Sequence, residues 1–353
     1  MEAAVDAAER TALVSSIVAR VADFREGQIP RIDAARVLAW CNQFEESNRP
    51  TILRETDRLL QRTYLPQATV RLFLRNLTVA PKLVGPNPEQ FWRSVGFLRI
   101  QQTGASQLDM LALLEDGLRE KFSITTQSAS STSNTYLYLD DVLYSGNRIK
   151  NDILTWVVAN DIRDATVHVV CIAIYTGGLW NAKSNLLSAL SPRRVRVIFD
   201  AANYGESRRA RAKDAEVLWL RSVPEKDANV DKWKATLKRN DWFFARPAGG
   251  RGSSELFTSE ESRHIVEQAF FKNGAYIWSL SENPQPTMRP LGYSVLETPG
   301  FGATLMTYRN CPNNAPLALW WGDPQGHGPI SRWTPLLPRL FGAGRHGAQA
   351  DAV

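Results

Sequence analysis

Tyr136-Leu-Tyr-Leu-Asp-Asp-Val-Leu-Tyr-Ser-Gly-Asn-Arg-Ile-Lys150 is the stretch on which the reading of this chain turns. Tyr136 to Leu139 have high strand propensity and run straight into paired acids, Asp140 and Asp141. A short loop follows, with Tyr144 and then Ser145-Gly146 at its far end. From Asn147 to Val158 the apolar residues Ile149, Ile153, Leu154, Val157 and Val158 recur at helical spacing. Strand, acidic pair, small-residue loop and helix together predict an anion site. Backbone N–H groups of Ser145, Gly146, Asn147 and Arg148 would converge on a phosphate at the helix N-terminus. The two carboxylates stand where they would hold sugar hydroxyls or a hydrated Mg²⁺ ion.

An acidic strand end feeding a helix N-terminus is stabilised by about 0.3–1 kcal/mol without any ligand. That accounts for one acid but not for an adjacent pair, whose members point to opposite faces of a strand.

Outward from this stretch, strand and helix alternate. Phe97-Leu-Arg-Ile100 predicts a first strand, and Gln107 to Lys121 an amphipathic helix. Thr125 to Thr135 is almost wholly small and polar, and predicts a surface loop. Thr166 to Ile174, rich in valine and isoleucine, predicts a buried strand. Asn181 to Leu190 reads as a helix, with further strands at Arg194–Phe199 and Val217–Leu220. The alternation predicts an α/β fold with a parallel sheet of about five strands. Thr103-Gly104-Ala105-Ser106 lies between the first strand and its helix, at the carboxyl edge where ligands of such sheets bind. Thr103, Gly104 and Ser106 are therefore candidates for a second anion loop.

The remainder divides by composition. Residues 1–80 read as short helices, with Leu13, Ile17, Val21 and Phe24 at helical spacing and Asn48 as a candidate cap before Pro50. Pro81 to Gln90, with three prolines and a glycine, reads as a linker into an α/β core over 81–225. Residues 226–341 predict an α+β hood, in which Thr258-Ser-Glu-Glu261 starts a helix ending near Asn273-Gly274. The tail 342–353 reads as disordered.

Hydrophobic content of 44% and charged content of 22% are those of an ordinary globular protein. The net charge of +6 suits phosphorylated ligands and does not by itself require nucleic acid. Arg208, Arg209, Arg211, Lys213, Arg246 and Arg251, with Trp233, Trp242, Phe243 and Phe244 interleaved, are the residues that would serve such a partner. Cys41, Cys171 and Cys311 have neither zinc nor disulfide spacing, and the four histidines form no metal pattern. Glu2, Asp6 and Glu9 precede any apolar run, and no segment is long and apolar enough for a membrane span. A cytoplasmic location with no membrane partner is the expectation.

The central stretch resembles the loop with which type I phosphoribosyltransferases bind phosphoribosyl pyrophosphate (PRPP). Asp140, Asp141, Ser145 and Gly146 match that pattern, and Arg148 stands where it expects Thr or Ser. The exchange removes a hydroxyl donor and adds a cation. The chain as a whole resembles the PRTase-CE family, phosphoribosyltransferase-like proteins of bacterial conflict systems. Thr103-Gly-Ala-Ser-Gln107, Leu139 to Asn147, Leu256-Phe-Thr-Ser-Glu-Glu261, Leu291-Gly-Tyr293 and Asn310 to Trp320 carry this resemblance. It implies a Rossmann-like sheet of type I phosphoribosyltransferase topology. It further implies a nucleotide-directed effector of anti-phage defence, some members being encoded beside retron reverse transcriptases. Asp140 and Asp141 would then act at the ribose hydroxyls, directly or through Mg²⁺, with PRPP or a nucleotide as ligand. A reverse transcriptase with its RNA–DNA, or another defence protein, is the implied partner. A non-catalytic nucleotide sensor or nucleic-acid-binding module is the alternative.

Overall fold

In a computed structural model of the chain, residues 2–101, 105–127, 134–239 and 241–339 are described. Thr103 and Gly104 of the second candidate loop, most of the 125–135 loop and the 342–353 tail lie outside them. The protein is α/β, with parallel sheets and about half its residues helical.

Ala68–Ser207 forms one compact unit, and the residues up to Gln67 together with those from Arg208 form the other. The first unit holds four parallel strands, β1 (Gly96–Phe97), β2 (Thr135–Leu143), β3 (Thr166–Tyr175) and β4 (Arg196–Gly205), adjacent in sequence order. Helices α1 (Ser106–Phe122), α2 (Asn147–Ala159) and α3 (Thr176–Leu190) make the crossovers that parallel pairing demands. Among the described residues the strand order does not reverse, so no switch point of the doubly wound kind is present.

The expected fifth strand at Val217–Leu220 is not in the sheet. Its main chain is satisfied elsewhere: the Val217 carbonyl accepts from Arg263 at 2.8 Å, and the Trp219 N–H donates to Glu267 at 3.1 Å. The expected linker also proves partly helical, at Pro81–Val84 and Pro88–Ser94. Each of these helices starts on a proline, whose fixed φ and missing N–H suit a first turn.

Side-chain alternation explains the core of this unit. Tyr138, Val169, Cys171 and, partly buried, Phe199 line one face and pack with Ile153, Val157, Leu186 and Leu190 from α2 and α3. The register sets Tyr138 beside Val169 and Asp140 beside Cys171, so Asp140 continues this apolar row toward the carboxyl edge. Asp141 belongs to the opposite face.

The second unit is mainly helical, with Glu2–Arg20, Ala34–Cys41, Arg49–Thr63 and Glu260–Leu280 as its principal helices and a short parallel pair, Tyr64–Leu65 with Met306–Thr307. Ser259 caps the last of these by accepting from the Ser262 N–H. This helix runs past Gly274, where the sequence predicted its end. A Cβ there would stand 2.3 Å from the Pro290 carbonyl oxygen, so the glycine serves close packing rather than termination. Asn48 makes no side-chain cap at the start of Arg49–Thr63. Trp40, Phe44, Phe270 and Trp333 form the aromatic centre of this unit. Both indole N–H groups, of Trp40 and Trp333, donate to the single Ala318 carbonyl, at 2.8 and 3.0 Å.

Candidate functional site

The central loop connects β2 to α2 at the carboxyl edge of the sheet. Gly146 is the N-cap of α2, with φ +77°, a conformation in which only glycine is unstrained. A Cβ on Gly146 would meet the Gly178 carbonyl oxygen at 2.3 Å, and one on Gly178 would meet the Tyr144 carbonyl oxygen at 1.8 Å. Two loops are thus pressed backbone to backbone, which only a pair of glycines allows. Asn181 on α3 completes the clamp by donating to the Ser145 carbonyl and to Asn147 Oδ1, each at 3.0 Å. Within the loop the Asn147 N–H points to Ser145 Oγ at 3.4 Å. The Tyr144 ring lies 5.9 Å from that of Tyr175.

Asp140 is wholly buried. Its Oδ1 accepts from Ser106 Oγ at 2.6 Å and from the Asp141 N–H at 2.9 Å, and its Oδ2 accepts from Arg148 Nη2 at 2.6 Å. Ser106, expected to face a ligand, is therefore turned onto the acid, where Gln101 also donates to it at 3.0 Å. Asp141 is buried on the other face, and its Oδ1 accepts from the Val142 N–H at 2.7 Å.

Arg148 sits in the first turn of α2 with about a third of its side chain exposed. Its Nε is sealed from solvent and has no hydrogen-bond partner. Burial alone would lower its pKa, but the Asp140 and Asp141 carboxylates outweigh burial and raise it, so the guanidinium is permanently charged. The other first-turn N–H groups of α2 have no acceptor within the helix by geometry. Next to the site, burial and the Asp140 and Asp152 carboxylates push the Tyr138 phenol well above its ordinary pKa, and its OH donates to Asp152 at 2.7 Å.

Thr176, together with Glu206 and Ser207, the two that sequence reasoning missed, completes the carboxyl edge. Thr176 Oγ1 bonds Glu206 at 2.6 Å, the Ser207 N–H donates to Thr176 Oγ1 at 3.2 Å, and Ser207 Oγ accepts from the Gly177 N–H at 3.0 Å. Tyr175 closes β3, and Thr176 is already the start of α3. Gln107 is likewise buried; its Oε1 accepts from the Ile100 and Gln101 N–H groups while its Nε2 has no partner.

A family model, PRTase-CE, matches residues 37–339, most of the chain. The chain belongs to the PRTase-CE family. No curated protein and no solved structure matches it.

As a PRTase-CE protein it is phosphoribosyltransferase-like, and the residues of its loop can be tested against the Mg²⁺ ion that such a loop implies. Asp140 already accepts three hydrogen bonds, and one of its donors is a cation. A divalent ion about 5 Å from that guanidinium would meet roughly 7 kcal/mol of repulsion at an effective dielectric constant near 20. In this arrangement the residues do not fit Mg²⁺. Among the described residues, no three His, Cys, Asp or Glu side chains gather as a metal site. No helix among them is long and apolar enough to cross a membrane.

The basic and aromatic stretch of the second unit is turned largely upon itself. The Arg209 guanidinium lies 4.1 Å from the Phe244 ring centre, Trp219 Nε1 donates to the Phe244 carbonyl at 2.7 Å, and Trp233 is fully buried against Trp242 and Phe271. Arg246, expected on a basic loop, is a core residue.

Proposed function

We propose that this PRTase-CE protein is an effector of a bacterial anti-phage system, in some settings alongside a retron reverse transcriptase. It binds PRPP or a related ribosyl 5′-phosphate and acts at the anomeric carbon. One observation carries the reading: a buried carboxylate holds a permanently charged arginine over the first turn of a helix at the carboxyl edge of a parallel sheet. Guanidinium and helix N–H groups are the donors that a phosphate requires.

Cleavage at an anomeric carbon passes through an oxocarbenium-like state, so positioning and electrostatic stabilisation of the departing group supply most of the catalysis. Arg148 and the α2 N-terminus bind the phosphate. Asp140, being fully buried, positions Arg148, and Asp141 on the opposite face of β2 is assigned to the ribose hydroxyls.

Replacing both acids, Asp140→Ala with Asp141→Ala, is expected to abolish nucleotide consumption in cells making the protein. Metabolite profiling beside the parent protein, with folding checked by circular dichroism, makes the test. Undiminished consumption by a folded double variant rejects the assignment.

A second reading is favoured by the same ion pair. Asp140, engaged by three donors, is not placed to take up a proton from a substrate, and that suits a nucleotide sensor that binds without turnover. Calorimetry with PRPP, NAD and ATP separates the two: tight binding with no product marks the sensor.

A further inference from the structure

We propose that Arg148 is the resident cation of this site, in place of a divalent metal, and that the protein binds its ribosyl phosphate without Mg²⁺. This rests on the ribosyl-phosphate reading above and extends it to the way charge is balanced in the pocket.

Four observations converge. Asp140 has no oxygen unengaged: Ser106, the Asp141 N–H and Arg148 occupy it from three directions. Arg148 uses one N–H on Asp140 and leaves Nε shielded from water and unpartnered. A guanidinium carries five donors in a planar fork, so this one can hold Asp140 by one edge and a phosphate by another without releasing either. The loop that carries it is pinned by the Gly146–Gly178 contact and by Asn181, so the fork is held in place before any ligand arrives. Finally, Arg148 occupies the position at which the related loop pattern expects a hydroxyl residue. There, instead of a neutral donor, stands the cation that pairs with Asp140.

The test uses the full-length protein and calorimetry, with ribose 5-phosphate and Mg²⁺ as separate probes. For the parent protein, ribose 5-phosphate affinity is expected to be the same in EDTA as in excess Mg²⁺, with no Mg²⁺ binding on its own. Arg148→Thr, which restores the hydroxyl, is expected to lose metal-free affinity by about ten- to a hundredfold, the loss of one charge-assisted hydrogen bond. The same variant should gain Mg²⁺ binding. Arg148→Lys keeps the charge but loses the planar fork; it should weaken metal-free binding without gaining the metal, and it serves if the threonine variant fails to fold.

Mg²⁺ binding by the parent protein, or a requirement for Mg²⁺ in its ribose 5-phosphate binding, overturns the inference and leaves the functional reading standing. Failure of the parent protein to bind ribose 5-phosphate in either buffer removes the functional reading and this inference with it. In a folded threonine variant, absence of any gain in Mg²⁺ binding also overturns the inference.

Discussion

Two arginine clusters in this molecule look alike on paper and differ in what they leave unused. In the second unit, Arg246 and Arg263 are fully buried with Glu267, and every polar atom of their guanidinium groups has an acceptor. Ser253, Glu260 and the Val217, Trp219 and Pro247 carbonyls complete the set. In the α/β unit, Arg148 is partly exposed, meets one carboxylate, and keeps an unsatisfied buried nitrogen. A saturated network specifies a fold, because removing any member strands a buried charge. An unsaturated one, beside a helix N-terminus, has donors left for something else. The number of hydrogen bonds still to be made, rather than the number of charges, separates scaffold from site.

The contrast can be broken most directly at Arg263. Arg263→Met leaves Glu267 buried with one partner fewer, and a loss of about 3–5 kcal/mol in denaturant unfolding is expected. A loss below about 1 kcal/mol, the range of exposed ion pairs, removes the claim that this network is a scaffold.

Gly146→Ala comes next. It forces a side chain into positive φ and against the Gly178 carbonyl, and about 2–3 kcal/mol of stability should go together with ribose 5-phosphate binding. Unchanged melting in that variant shows that the two loops do not clamp each other.

Acid sharpens the comparison without mutation. Burial would raise the Glu260 pKa, but hydrogen bonds from Arg246, Ser253 and the Gly249 N–H outweigh it and hold it at about 2, against an ordinary 4.5. A depressed carboxylate stabilises the fold above its unfolded pKa. That contribution is therefore full above pH 4.5 and disappears as pH falls to about 2. Glu260→Gln should flatten the decline in stability over that window, and an unchanged acid profile refutes the role given to Glu260.

Arg148→Met should cost less stability than Arg263→Met, about 1–2 kcal/mol, because Ser106 and the Asp141 N–H still hold Asp140. A larger loss than at Arg263 would reverse the assignment of scaffold and site. At the low end, Arg71→Ala removes an exposed pair with Asp116 and should shift stability by less than about 0.5 kcal/mol.

How much of this was readable beforehand follows from the range of the interactions. Strand propensity exposed β2 and β3 and helical spacing exposed α1 and α2, since those signals are set by neighbours along the chain. The importance of Arg148 was legible for the same reason, since it lies in one continuous stretch with the acids, and the family was legible from five short segments in order along the chain. The partners of Arg148 and Ser106 were not. That Ser106 turns onto Asp140, 34 residues away, depends on strand register, which propensity does not encode. Val217 to Leu220 had the composition of a strand, yet Arg263 and Glu267 satisfy its backbone from 46 and 48 positions further on. Gly274 looked like a helix stop because its reason, contact with Pro290, lies outside its own helix.

The shared Ala318 carbonyl sets an order of events during synthesis. Trp40 emerges from the ribosome well before Ala318 and Trp333, so the aromatic centre they join cannot close until residue 333 has been made. The intervening α/β segment has all its own strands by Gly205 and is free to mature first. Ribosome-bound chains halted just before residue 318 should then show protease-resistant α/β fragments while the segment before Gln67 is still digested.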